Sequence, residues 1–580
     1  TGEKLVVELE RVHKTEDKHS FQGGASVSIF YNQAGEQVGL TGVVARVKDN
    51  QMKVVLNSDD LPDGIMSSKL GVDLAYDEST FREMENTIRQ VAKAGDNRLG
   101  VLRDIIYGLY KPKFDKLEQI TFPSLNHDQN EAVRKAIAAK DVALIHGPPG
   151  TGKTTTLVQA IKFVADHEKQ VLVCTPSNAS VDLLVELLTA QGLDVLRIGH
   201  PARISEVAVS RSMDARIAAH GSYKELKAVR KKSVELRDMA FKYKRNYGTS
   251  ERQQRQLLLK EVRSLKDEAR MIERYIVQSL LDTTQVVIST LVGANHYLLK
   301  SKTFKTLFID EAGQSLEPAC WIPMTKAERV IMAGDHQQLP PTVKSFEAGQ
   351  RGLDYTLFER LMNNSNADTM LTTQYRMHPD IMTFPSNYFY KGKLVADQGI
   401  NGRTQLPGST VEFIDTAGCG FAEQVNPKTL STSNPEEADL LVKHLGLFLS
   451  ELNTTSSAND LSIGVIAPYK AQVNLLQDRL KPVADEFGYG DGLSVNTVDS
   501  FQGQERDVMY ISLTRSNDKG EIGFLKNVRR MNVAVTRAKR KLVVIGDSAT
   551  LGSDKFYDAM IDYFQSIGAY RSAFEYLYTD

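Results

Sequence analysis

A chain of 580 residues has room for three to five domains at roughly 100–200 residues each. With 41% hydrophobic and 25% charged residues it has the make-up of an ordinary globular protein, which excludes a fibrous or disordered class. A net charge of -1 removes a global basic excess as a sign of nucleic-acid binding and leaves only segregated charge to carry such a function. Cys174, Cys320 and Cys419 are far apart with no C-x-x-C pair. A disulfide scaffold and a Cys-rich zinc site are therefore not expected, and a reducing cytoplasm is the expected compartment. The longest apolar runs, such as Val171–Val173 and Val330–Ala333, are too short to span a bilayer. The opening Thr1-Gly2 has no apolar stretch of a signal peptide.

In chain order, residues 1–20 place Leu5, Leu9 and Val12 at helix-like spacing. Residues 24–75 change to alternation, in Val27-Ile29-Tyr31 and Val43-Ala45-Val47, punctuated by Gly39, Gly42 and Asp49-Asn50. This predicts a small β-barrel. Phe81, Met84, Ile88 and Val91 return to helical spacing, so the barrel is expected between two stalk helices. From about 122 to 345, strand candidates Val142–Ile145, Val171–Cys174, Val286–Ile288, Thr306–Ile309 and Val330–Met332 alternate with helices. A second series follows: Val411–Ile414, Ile463–Ile466, Val508–Ser512 and Leu542–Ile545. Continuous apolar strands of this kind belong to parallel sheets covered on both faces, so two α/β parallel-sheet domains are expected.

One segment interrupts the first series. Residues 221–280 hold 16 Lys/Arg against 8 Asp/Glu. Val229, Ser233, Leu236, Ala240 and Tyr243 recur at 4,3 spacing, as do Leu258, Val262, Leu265, Ala269, Ile272 and Ile276, with a turn at Asn246–Ser250. The pattern predicts an antiparallel helical hairpin. Its basic faces suit phosphate contact and suit plain solvation equally well.

The strand Val142–Ile145 runs into Gly147, Pro148, Pro149, Gly150, Thr151, Gly152, Lys153, Thr154 and Thr155, and then into a helix. This is the phosphate-loop pattern in its strand–loop–helix setting. Its glycines let backbone N–H groups face phosphates, and the helix N-terminus adds positive potential. Lys153 is the candidate for the β- and γ-phosphates and Thr154 for Mg²⁺. Asp310-Glu311 closes the strand Thr306–Ile309. Asp310 is the expected metal acid, acting through water, and Glu311 the expected base for the attacking water. Arg376 and Arg537 are the arginine-finger candidates, a device worth about 10³–10⁵ in rate.

The ordered segments resemble the superfamily 1B RNA/DNA helicases of the up-frameshift and immunoglobulin-mu-binding type. They are Leu125–Gln129, Gly147–Thr154, Thr175–Asp182, Ser289–Ala294, Asp310–Gln314, Ala333–Pro341, Leu371–Pro379, Val495–Asp507 and Asn532–Lys539. The resemblance implies an ATP-dependent, 5′-to-3′ motor on single-stranded RNA and/or DNA, using ATP and Mg²⁺ between two RecA-like domains. An ATP-controlled single-strand clamp with weak unwinding is the alternative that the same motifs allow. It also implies roles. Gln129 would read adenine, Tyr375 would stack on it and Glu505 would bind the ribose. Gln338 would sense the γ-phosphate. Ser177, Asn178, Thr290, Val292, Pro340, Pro341, Thr497 and Ser500 would contact the strand. The implied layout is a stalk and barrel at 1–110, a first RecA-like domain at 111–200 and 282–345, a basic insertion at 201–281 and a second RecA-like domain at 346–580. A monomeric core of bacterial type, without zinc or other accessory domains, is expected. At Gly313 the chain departs from the family pattern, where Thr or Ser is expected.

Overall fold

The computed structural model describes residues 5–12, 21, 25–33, 36–48, 50–56, 61, 65, 69–74, 78–117, 119–199, 205–242, 248–402, 406–427, 429–454, 461–490, 492–501 and 503–577. Asp49, Tyr243, Asn246, Tyr247 and Gln502, which belong to the turns, the hairpin and a motif named above, lie outside these. So does most of the first expected helix. The chain divides into two compact units: one of residues 1–104, 158–310 and 317–330, the other of 105–157, 311–316 and 331–580.

In the first unit, five antiparallel strands form one sheet in the order Val6–Glu10, Gln51–Leu56, Glu36–Lys48, Ser26–Gln33, Gly71–Leu74. Val27, Ile29, Val44, Val54 and Leu56 make its core. In the described part of the expected first stalk helix, Val6–Glu10 is instead a strand, paired from Val6↔Val55 to Glu10↔Gln51. Leu5, Val7 and Leu9 also alternate, and the antiparallel partner, not the 4,3 spacing, decides between the two periods. Only the second helix, Glu78–Lys93, forms as expected, with Val91 buried. The expected barrel is, in the described residues, this sheet.

The same unit carries parallel strands side by side in the order Phe304–Ile309, Val171–Thr175, Val286–Thr290, Val195–Arg197. The basic insertion is a pair of helices, Tyr223–Phe241 and Thr249–Thr283. Leu226, Ser233 and Ala240 on one, and Val262, Leu265, Ala269 and Ile276 on the other, turn inward. Arg230 meets Glu273 at 3.0 Å across the pair.

In the second unit, Val142–His146 pairs in parallel with Asp368–Met370. On its other flank the N–H of Gly147 donates to the carbonyl of Gly334 at 3.0 Å. The strand Asp368–Met370 lies past the expected domain boundary at 345/346. Only three residues long and half-buried, it carries too few apolar positions to read as a strand in sequence. A six-stranded parallel sheet follows in the order Leu493–Asn496, Ile463–Ile466, Arg506–Ser512, Ala538–Gly546, Val411–Asp415, Tyr570–Ser572. Alternate residues feed its two faces. Phe413, Met509, Ile511, Leu542 and Val544 join one core, and Ile414, Val508, Tyr510, Val543 and Ile545 the other. Both expected sheet series are thus present and parallel, an α/β fold with two RecA-like sheets.

Among the apolar side chains of this sheet sits one charged cluster. Glu412, 6% exposed, and Lys541, 1% exposed, pair between neighbouring strands at 2.5 Å. His444 Nε2 lies 3.1 Å from the other carboxylate oxygen. Burial alone would raise the Glu412 carboxyl, but His444 and Lys541 pull it down to about 2. A depressed carboxylate contributes stability above its unfolded value and loses it as pH falls through the folded value. Stability is therefore expected to fall between about pH 4.5 and pH 2, and Glu412→Gln should flatten that part of a urea-melt pH profile. Lys541→Met, which strands the carboxylate, should cost about 3–5 kcal/mol in the same melts.

Candidate nucleotide site

The phosphate loop is built on close backbone approach. Gly150 and Gly152 have φ of 76° and 75°, the left-handed region that glycine enters without strain. A Cβ on Gly147 would lie 2.5 Å from Lys153 Cβ, and one on Gly150 2.6 Å from Arg376 Cβ. The loop is anchored by Asn126 and Gln129, which form a reciprocal capping box at the helix His127–Ala138. Gln129 Nε2 also donates to the carbonyl of Thr151 at 3.0 Å, and its Oε1 accepts from the N–H of Asn126 at 3.0 Å. With both ends of the amide engaged, Gln129 braces the loop in this structure. Tyr375 is bound to the loop through its own N–H, donated to Gly150 O at 2.8 Å. Its hydroxyl accepts from Asn126 Nδ2 at 2.8 Å, and the residue is 39% exposed.

Lys153 starts the helix Lys153–His167, and its Nζ pairs with Glu311 Oε1 at 2.7 Å. Glu311 Oε2 accepts from Gln314 Nε2 at 2.7 Å. The Glu311 backbone is left-handed, φ 53° and ψ 36°, which costs a non-glycine residue roughly 1–2 kcal/mol. Strain of this kind collects at functional positions. Next to it, a Cβ on Gly313 would stand 2.7 Å from the carbonyl oxygen of Asp335. The departure from the family pattern therefore has a steric reason: Ala312-Gly313 packs backbone to backbone on the Gly334-Asp335 segment. Asp310 is buried at the end of its strand, its N–H donating to Cys174 O at 3.0 Å. Thr154 is half-buried and Thr155 exposed.

Both arginines belong to the same compact unit as the loop. Arg376 Nε pairs with Glu505 Oε2 at 2.6 Å, and Lys539 with Glu505 Oε1 at 3.1 Å. Arg376 Nη1 donates to Thr536 O at 3.1 Å. Arg537 is 3% exposed. It donates to the carbonyls of Val533 at 3.1 Å and Gln504 at 3.3 Å and reaches Gln338 Oε1 at 3.5 Å. Burial and the neighbouring Arg376 lower its pKa to about 9, so it keeps its charge at neutral pH.

The strand candidates fall in two groups. In the first unit, Ser177 caps the helix Asn178–Ala190, its hydroxyl accepting from Ser180 N at 3.1 Å. Asn178 Oδ1 accepts from the buried Arg197 at 3.1 Å. Thr290 Oγ1 accepts from Gly293 N at 3.0 Å, and Val292 opens the turn Val292–Asn295. In the second unit, Pro340 is half-buried and Pro341 buried, and Thr497 and Ser500 face each other at 3.4 Å. Sequence reasoning missed Asn126, Asp335, Tyr390, Asn532 and Lys539 as parts of the site. All but Tyr390 lie inside the motif segments, and the Asn126…Gln129 spacing was a further local signal; Tyr390 is an ordinary aromatic residue whose partners lie far along the chain.

The placement of Glu505 sets its expected role. Both its oxygens hold cations, so Glu505→Gln should loosen Arg376 and lower the ATP turnover number by about 10²-fold, the scale of losing one preorganised charge contact, with KM for ATP moved less than threefold. Steady-state ATPase kinetics check this, and a ribose contact would give the opposite split.

Two family models, each described as an AAA domain, match residues 124–346 and 353–549. DNA-binding protein SMUBP-2 of Mesocricetus auratus is 35% identical over 96% of this chain and 57% of its own length. The chain thus spans little more than half of that relative. DNA polymerase alpha-associated DNA helicase A of Schizosaccharomyces pombe is 34% identical over 91% of this chain and 80% of its own. An uncharacterized ATP-dependent helicase of Methanocaldococcus jannaschii is 32% identical over 88% and 80%. Among solved structures, an arterivirus nonstructural protein 10 helicase aligns over 96% of this chain and 79% of its own at 13% identity, with a TM-score of 0.36; the fold assignment rests instead on the sheets described above. A third of the residues shared over four fifths of two helicases, with the motifs in one order, means that the chain belongs to the superfamily 1B helicases of the up-frameshift and immunoglobulin-mu-binding type.

Proposed function

We propose that the protein is an ATP-dependent helicase that translocates 5′ to 3′ on single-stranded RNA and/or DNA. The observation that carries the reading is the grouping of Lys153, Glu311 and Arg376 at one glycine loop, with Arg537 in the same compact unit. Phosphoryl transfer needs little else from a protein: a positioned base, and positive charge on the transferring group. The sequence segments 1–110, 111–200 with 282–345, 201–281 and 346–580 serve as the stalk and β-domain, the two halves of the first motor domain, the basic insertion and the second motor domain. Relatives named for DNA binding and as a DNA helicase support nucleic acid as the track.

The residues act as follows. Glu311 is the base. In the structure its two oxygens hold Lys153 and Gln314; substrate phosphates that draw Lys153 to themselves release Oε1 to take a proton from water. Arg376 and Arg537 neutralise charge on the transferring phosphoryl group. Gln338, in contact with Arg537, reports the phosphate state. Tyr375, part exposed and tied to the loop by Gly150, offers a ring to the base. The Thr154 hydroxyl and the buried Asp310 carboxylate are hard oxygen donors of the kind Mg²⁺ takes. The bound ion would neutralise phosphate charge. Ser177, Asn178, Thr290 and Val292 of the first unit, and Pro340, Pro341, Thr497 and Ser500 of the second, are each assigned to strand contact. Small polar groups of this type contact phosphate and sugar without reading sequence, which suits a moving enzyme.

Strand displacement with ATP and Mg²⁺ tests the reading, on duplexes with a 5′ or a 3′ single-stranded tail in RNA and in DNA. Displacement from the 5′ tail alone is expected. ATP hydrolysis stimulated by nucleic acid without displacement from any substrate would favour a single-strand clamp. Glu311→Gln is expected to abolish turnover while fluorescent-nucleotide titration still shows binding. Tyr375→Ala should raise KM for ATP about tenfold more than for UTP, on the scale of 1–3 kcal/mol for one stacked base; equal rises would remove the stacking role.

A further inference from the structure

Within the segment Ala333–Pro341, behind the phosphate loop, lies a buried carboxylate to which none of the roles described above gives a task. Asp335 is 2% exposed. Its Oδ1 accepts from Gln337 N at 3.0 Å and lies 3.2 Å from His146 Nε2. Its Oδ2 accepts from Gln338 Nε2 at 2.8 Å and from the Tyr390 hydroxyl at 2.8 Å. Asn532 Nδ2 donates in turn to the Tyr390 hydroxyl at 2.9 Å and to Gln337 O at 2.8 Å. Three donors hold the carboxyl near 2 against its burial, so it is a carboxylate at any working pH. His146 directly precedes the loop glycine Gly147, and Gly313 backs onto the Asp335 peptide. The carboxylate is fixed from four sides.

A fixed carboxylate imposes a direction on Gln338. It can only accept a hydrogen bond, and the guanidinium on the other side, Arg537, can only donate one. The amide between them has one arrangement that satisfies both: Nε2 toward Asp335 and Oε1 toward Arg537, as found at 2.8 and 3.5 Å. Reversed, the amide would set its NH₂ against the guanidinium and its oxygen against the carboxylate. We propose that Asp335 is a positioning residue that sets the polarity of Gln338, so that Gln338 acts as an acceptor that steers the Arg537 finger. This rests on the helicase reading, in which Arg537 touches the transferring phosphoryl group. Asp335 acts only through Gln338.

The test is a polarity swap. Asn at 335 can present its NH₂ to residue 338, where an amide would answer with its oxygen and turn its NH₂ on Arg537. Asp335→Asn should lower the turnover number for nucleic-acid-stimulated ATP hydrolysis at least tenfold, with KM for ATP moved less than threefold. Gln338→Glu alone sets two carboxylates face to face and should also fall at least tenfold. Asp335→Asn combined with Gln338→Glu restores a donor at 335 facing an acceptor at 338 that still receives Arg537, and should recover turnover to within threefold of wild type. A merely structural Asp335 predicts the reverse, a double variant no better than either single one, and that result overturns the proposal. So does an Asp335→Asn turnover within twofold of wild type. If Asp335→Asn fails to fold, the double variant against Gln338→Glu decides by the same criterion. Absence of ATP hydrolysis by the wild-type protein on any nucleic acid would instead overturn the helicase reading itself.

Discussion

How near one stretch of backbone comes to another governs this site. Phosphate binding by main-chain N–H groups requires a loop without side chains on its inner face, and the chain extends the same economy outward. The loop leans on Arg376 at Gly150, on its own lysine at Gly147 and on Gln129 at Gly152. Behind it, Gly313 and Gly334 let the turn after Asp310 meet the segment that carries Asp335. A Cβ at Gly150, Gly313 or Gly334 would meet the Cβ of Arg376 or main-chain atoms, which cannot yield the several tenths of an ångström it needs. The charged groups then inherit their positions from the glycines.

Charge in this site is arranged as alternating sign. Lys153 faces Glu311, Arg376 and Lys539 share Glu505, and Arg537 donates to the main-chain carbonyls of Val533 and Gln504. Each cation has a resident anion or dipole to leave when phosphate arrives. Buried charges that are paired and hydrogen-bonded avoid most of the desolvation cost of burial, and a site of this kind can stay assembled between turnovers.

Most of the fold was legible because parallel strands buried on both faces leave continuous apolar runs, as in Val171–Cys174 and Leu542–Ile545. The hairpin helices were legible for a related reason: the unbroken 4,3 spacing from Leu258 to Ile276, inside the helix Thr249–Thr283, fits no other regular structure. Short edge strands such as Asp368–Met370 and Tyr570–Ser572 were not, since three residues carry no period. Residues 6–10 misled, because a few apolar residues in a charged segment satisfy both periods and the partner strand lies more than forty residues away. In the site, the loop and its acids were legible from local chemistry. The contacts of Asp335, Tyr390 and Glu505 were not, because the donors around a carboxylate or hydroxyl are set by what the fold brings to it.

The second compact unit is assembled from three separated stretches of chain, and Asn126 meets Tyr375 across 249 residues. Ribosomal synthesis delivers such partners one at a time. The phosphate loop leaves the ribosome long before Arg376, and Arg537 emerges last. Contacts of such long sequence separation are slow to close, and large domains with late partners pass through exposed intermediates. A nascent chain that stops short of residue 537 lacks this arginine and the sheet strands Ala538–Gly546 and Tyr570–Ser572. Assembly of this unit thus waits until residues as late as Arg537 have emerged, whatever the order in which its earlier stretches fold.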